Sequence, residues 1–154
     1  MTTLPVTEVA AEAPAFSSVV WVSVCRFDDL VPERGAAALL PGPDSPGGHV
    51  QVALVRLLDG RVLAVDNHDP FSGANVLSRG IVGWRTVDGR PVPTLSSPLH
   101  KQVFSLETGT CLDTAGKAPL GGSGDLRTYP VRVVHDGQDD AGGLVQVGLP
   151  GDAR

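Results

Sequence analysis

The sequence predicts an all-β fold, an antiparallel sandwich or barrel built from short strands. Three observations carry this. Runs of β-branched and apolar residues recur at short, nearly regular spacing. Turn dipeptides with glycine sit between several of them, and no stretch sustains a 3.6-residue apolar period.

The elements follow in order. Residues 1–17, rich in Thr, Glu, Ala and Pro, read as a flexible lead-in to one domain over 18–150. Val19–Cys25 is a β-branched and aromatic run, hence a strand, and Phe27-Asp28-Asp29-Leu30 with Pro32 reads as a turn or short helical piece. Ala36–Leu40 is a candidate second strand, followed by a Pro/Gly loop at 41–48. Gln51–Leu57 alternates, and Asp59-Gly60 joins it to Arg61–Val65. Gly-containing tight turns need positive φ, so this reads as a hairpin. A second hairpin is expected at Gly83–Val87, Asp88-Gly89 and Arg90–Leu95. A third spans Lys101–Leu106, Glu107-Thr108-Gly109 and Thr110–Asp113. After a Gly-rich loop at 116–124, Thr128–His135 reads as one strand, and Asp136–Gly143 turns into Leu144–Val147. Trp21, Val55, Val103 and Phe104 are the expected core positions.

Bulk properties exclude several classes. A net charge of −5 argues against nucleic acid and anionic membrane surfaces, which call for a basic face. No apolar run approaches the ~20 residues of a membrane helix. The first basic residue is Arg26, so no secretory signal pattern is present, and the chain reads as cytoplasmic. Cys25 and Cys111 are too few and too far apart for a disulfide framework or a CxxC site, and read as free thiols.

Apparent motifs elsewhere fail. Gly116-Lys117 lacks the glycine and hydroxyl partners of a phosphate loop. Asp136, Asp139 and Asp140 lack calcium-loop spacing. His68, Asp69 and His100 could in principle ligate zinc or iron. Adjacent residues on an extended chain point to opposite faces, however, so His68 and Asp69 are not expected to converge. For His100 alone, a hydrogen-bonded structural or interface histidine is the better reading.

Two segments are more specific. The first, 69–80, reads Asp-Pro-Phe-Ser-Gly-Ala-Asn-Val-Leu-Ser-Arg-Gly. The second, 97–109, reads Ser-Pro-Leu-His-Lys-Gln-Val-Phe-Ser-Leu-Glu-Thr-Gly. Together they resemble the two cluster loops of the Rieske family, Cys-Pro-His-x-Gly-Ala-x-x-Leu-x-x-Gly and Cys-Pro-x-His-x-x-x-Phe-x-Leu-x-Thr-Gly. Each of those loops supplies one Cys and one His to a [2Fe–2S] cluster. The resemblance implies a Rieske-type antiparallel β-sandwich with two loops at one tip. It places the ligand positions at Asp69, Phe71, Ser97 and His100, and of these only His100 retains a family ligand. The expectation is a degenerate site that binds neither cluster nor other metal.

The resemblance narrows further. Residues 71–83, Val92-Pro93-Thr94, 97–104 and 108–112 are similar to the small subunit of assimilatory NAD(P)H-dependent nitrite reductase, over about Val19 to Val147. This implies an accessory, non-catalytic oxidoreductase subunit that itself binds no cofactor. Its partner would be a large subunit carrying FAD, a [4Fe–4S] cluster and sirohaem, which reduces nitrite to ammonium with NAD(P)H. A Rieske ferredoxin-type electron carrier and a cofactor-free binding module on the same scaffold remain as alternatives. Function is expected at the tip, where Phe71, Ser72, Asn75, His100, Lys101 and Gln102 are candidate docking residues, with Phe71 partly buried under the two loops.

Overall fold

The structure is a computed structural model that describes residues 7–8, 18–42, 48–135, 137 and 141–150. The strands are β1 (Thr7–Glu8), β2 (Val19–Arg26), β3 (Gly35–Pro41), β4 (His49–Arg56), β5 (Val62–Asp66), β6 (Ile81–Val87), β7 (Arg90–Ser96), β8 (Val103–Ser105), β9 (Cys111–Asp113), β10 (Thr128–Tyr129), β11 (Val131–Val134) and β12 (Leu144–Pro150). They form three four-stranded antiparallel sheets, ordered β1-β11-β12-β2, β10-β5-β4-β3 and β6-β7-β8-β9. All-β architecture is therefore correct, in three small sheets. The expectations at 43–47 and over most of 136–140 lie outside the described residues, as does most of the 1–17 lead-in. Within the lead-in, Thr7 and Glu8 pair with Val133 and Arg132.

The hairpins form where turn chemistry placed them. Asp88 and Gly89 both adopt positive φ, 52° and 78°, which matches the right-handed twist of β6 and β7. Around Asp59-Gly60 the chain closes with Leu57 N–H on the Arg61 carbonyl at 2.8 Å. Phe27–Asp29 forms a single 3₁₀ turn, and Leu77–Arg79 forms another within the 69–80 segment.

Three expectations need correction. Thr128–His135 is not one strand: it divides at Pro130 into β10, which pairs with β5, and β11, which pairs with β12. Proline has no N–H to give to a ladder, so the chain changes sheets there. β4 does not alternate in and out, because Val52–Val55 are all fully buried or nearly so. Its sheet is the middle layer. Val52 and Leu54 join one core with Val131, Val145 and Val147, while Ala53 and Val55 join a second core with Leu95 and Phe104. Trp21 is half-buried rather than core. It stands on edge strand β2, with the Arg132 guanidinium 4.3 Å above its ring. Val55, Val103 and Phe104 are buried as expected.

The second core fixes the site. It lies between the middle sheet and β6–β9, and loops 67–80, 97–102 and 114–127 close one end of it. No helix among the described residues is long and apolar enough to cross a membrane.

Candidate functional site

The two signature loops are built alike. In the first, Asp69 N–H donates to the Ala74 carbonyl at 2.9 Å and Gly73 N–H to the Asp69 carbonyl at 2.8 Å. In the second, Ser97 N–H donates to the Gln102 carbonyl at 2.8 Å and Lys101 N–H to the Ser97 carbonyl at 3.2 Å. Each loop's opening side chain also caps the amide two residues on: Asp69 Oδ1 accepts from Phe71 N–H at 2.9 Å, and Ser97 Oγ from Leu99 N–H at 3.2 Å. Short oxygen-bearing side chains favour such self-capped turns. The β8–β9 hairpin repeats the pattern, with Ser105 N–H on the Thr110 carbonyl and Gly109 N–H on the Ser105 carbonyl. The fourth position after the opening residue needs positive φ in all three: Gly73 at 80°, Lys101 at 67° and Gly109 at 79°.

The matching geometry brings the two opening residues face to face. Ser97 Oγ donates to Asp69 Oδ2 at 2.7 Å, and both residues are buried, at 1% and 0% exposure. These are the positions at which the Rieske pattern has its two cysteines. Phe71, at one histidine position, turns inward at 6% exposure. Its ring tilts against Phe104 with centroids 6.2 Å apart. His100, at the other histidine position, is exposed, as is His68. Adjacent His68 and Asp69 thus do point apart.

These residues do not fit a [2Fe–2S] cluster. Such a cluster needs soft thiolates on at least one iron. Here a carboxylate and a hydroxyl hold each other, and a phenyl ring, turned inward against Phe104, stands at one histidine position. The thiols are elsewhere. Cys25 lies on β2, where burial and then the Asp29 carboxylate push it up; Cys111 lies on β9 and is raised first by burial.

Sequence reasoning missed the third loop. Leu120 N–H donates to the Pro70 carbonyl at 2.9 Å, a Cβ at Gly124 would touch the Phe71 ring, and Gln102 Nε2 donates to the Thr114 carbonyl at 3.3 Å. Segment 114–127 therefore covers the first two loops and changes what they present. Phe71 is buried, more fully than the partial burial expected of it, and Gln102, a candidate docking residue, is fully enclosed as well. Gln102 Oε1 has no partner among the described residues. Ser72 is half-buried, while Asn75, His100 and Lys101 are exposed. The apolar groups at the surface are instead Leu99, 49% exposed, and Leu120, 71% exposed.

Comparison with known proteins agrees with this geometry. Residues 20–138 match the family described as Rieske-like [2Fe-2S] domain. The NADH nitrite reductase small subunit of Escherichia coli (strain K12) is 37% identical over 94 residues, 60% of this chain and 77% of that protein. A crystal structure of a candidate NADH-dependent nitrite reductase small subunit from Mycobacterium tuberculosis superposes with a TM-score of 0.66 at 42% identity, covering 86% of this chain and 97% of that one. The chain belongs to the nitrite reductase small subunits of the Rieske-like family. One further relative of this small subunit is larger. The NAD(P)H nitrite reductase large subunit of Klebsiella oxytoca is 38% identical over 120 residues, 78% of this chain but 11% of that protein.

Proposed function

We propose that this chain is the cofactor-free accessory subunit of an assimilatory NAD(P)H-dependent nitrite reductase. It acts in the cytoplasm by contact with a catalytic large subunit that reduces nitrite to ammonium. The observation that carries this reading is the 2.7 Å bond between Ser97 and Asp69, which occupies both cysteine positions of the family pattern with a loop-to-loop tie. By the family resemblance, FAD, the [4Fe–4S] cluster and sirohaem would belong to the large subunit. The Klebsiella oxytoca protein supports contact as the mode of action. There, a stretch 38% identical to this chain belongs to the same polypeptide as the rest of a large subunit. A free chain of the same kind would meet its reductase by docking.

The chain's own contribution is positional. Its tip loops are held by backbone bonds, the Asp69–Ser97 tie and the Phe71–Phe104 packing, so the backbone that presents the exposed side chains has little entropy left to lose on binding. The ferredoxin-type alternative is disfavoured by the same donor set. The test is to mix the chain with the large subunit encoded by the same organism, then measure co-elution and NAD(P)H-dependent nitrite reduction. Co-elution with a change in turnover is expected. A chain that neither binds nor alters turnover sinks the proposal.

A further inference from the structure

The charges at the tip are set against those of the whole chain. The protein carries net −5, yet it has two lysines, Lys101 and Lys117, and both lie exposed on tip loops. The Thr114–Lys117 turn rests on Gln102, the residue after Lys101. Arg79, exposed on the first loop, adds a third cation. None of the three has an ion pair among the described residues, whereas Arg61, Arg85 and Arg90 all pair with carboxylates. Of the two carboxylates on these loops, Asp69 is buried against Ser97, and Asp125 is exposed and accepts the Cys111 N–H at 2.8 Å. Exposed Leu99 and Leu120 stand on the same loops.

Lys101 is the sharper sign. Of three loops with one hydrogen-bond pattern, two place glycine at the positive-φ position and the third places a lysine there. A left-handed conformation disfavours any residue with a Cβ, so glycine would suit the loop better. Among the described residues the Lys101 side chain makes no hydrogen bond or ion pair that would offset that strain.

Resting on the accessory-subunit reading above, we propose that the tip is a cationic docking surface for a carboxylate-rimmed apolar patch on the large subunit. Leu99 and Leu120 form its apolar centre, and Lys101, Lys117 and Arg79 its rim. Charge complementarity selects this occupant, because rim charges steer encounter and specify the partner while the apolar centre supplies most of the affinity.

The test measures binding of the full chain to the large subunit at low and high salt. Expected results are a wild-type affinity that falls with salt and a Lys101→Glu/Lys117→Glu variant that binds roughly tenfold more weakly with a flatter salt dependence. Lys101→Gly separates docking from structure: it should melt higher than wild type yet bind more weakly. Leu99→Ser/Leu120→Ser should weaken binding and leave the salt dependence in place. If wild type binds while the charge reversal and Lys101→Gly leave affinity and salt dependence unchanged, the docking chemistry is overturned and the accessory reading stands. A chain-only dimer that the reversal dissociates, with large-subunit affinity unaltered, would also overturn it by assigning the tip to a second copy. A wild-type chain that fails to bind the large subunit overturns both readings.

Discussion

Replacing Asp69 by Ala should show how much of the tip depends on one carboxylate. The group is fully buried and accepts two hydrogen bonds, from Phe71 N–H at 2.9 Å and Ser97 Oγ at 2.7 Å. Bonds to a charged acceptor contribute about 1.5–3 kcal/mol each, and the Phe71 amide would be left buried without a partner. The expected loss is about 3–5 kcal/mol, roughly 10 °C in melting temperature for a chain of this size. Asp69→Asn keeps an acceptor for the Phe71 amide and offers an N–H to Ser97 Oγ, so it should lose no more than about 2 kcal/mol. Urea unfolding of Asp69→Ala, Ser97→Ala and the double variant forms a cycle that isolates the bond between them. A coupling of about 1.5–3 kcal/mol is expected. Coupling under about 0.5 kcal/mol, or an Asp69→Ala as stable as Asp69→Asn, would refute the idea that this pair ties the loops.

Two further outcomes are expected. Tyr129, the one tyrosine, is raised well above its usual range, first by burial and then by the Asp66 carboxylate that accepts its hydroxyl at 2.7 Å. The folded chain therefore keeps a proton that the unfolded chain releases near 10.0, so this contribution to stability is intact below that pH and fades as pH rises through and beyond it. Phenolate absorbance should appear only together with unfolding, and a reversible titration near pH 10 in the folded chain would contradict this. Anaerobic incubation with ferrous iron, sulfide and thiol should leave no stoichiometric iron on the chain after gel filtration; a coloured, iron-bearing product would mean that Cys25 or Cys111 reaches a site the fold keeps them from.

The hairpins were legible because their information is local. Asp88-Gly89 specifies its own turn, and the flanking strands need only continue from it. Layering was not legible. Whether Val52–Val55 face one core or two depends on sheets formed far along the chain, around Leu95 and Phe104 for one core and Val131 and Val145 for the other, and Pro130 signals a break without naming the sheets on either side. The site divides along the same line. The positions Asp69, Phe71, Ser97 and His100 followed from spacing against a family pattern. The bond from Asp69 to Ser97 could have been inferred too, since two residues standing where one iron's thiolates would be must lie close together. The burial of Phe71 and Gln102 could not. It depends on how 114–127 folds over them, and a glycine-rich segment carries no periodicity from which to read its path.

The Asp69–Ser97 bond also changes how the tip comes into being. In a metalloprotein, loops of this kind reach their final arrangement when the metal arrives, so folding is linked to the supply of metal, to the redox state of its thiols and to chelators. Here the cross-link consists of a carboxylate and a hydroxyl present in the chain from synthesis. The tip can set as soon as the β7–β8 loop packs against the loop after β5. Neither dioxygen nor a chelator has a bond in it to attack.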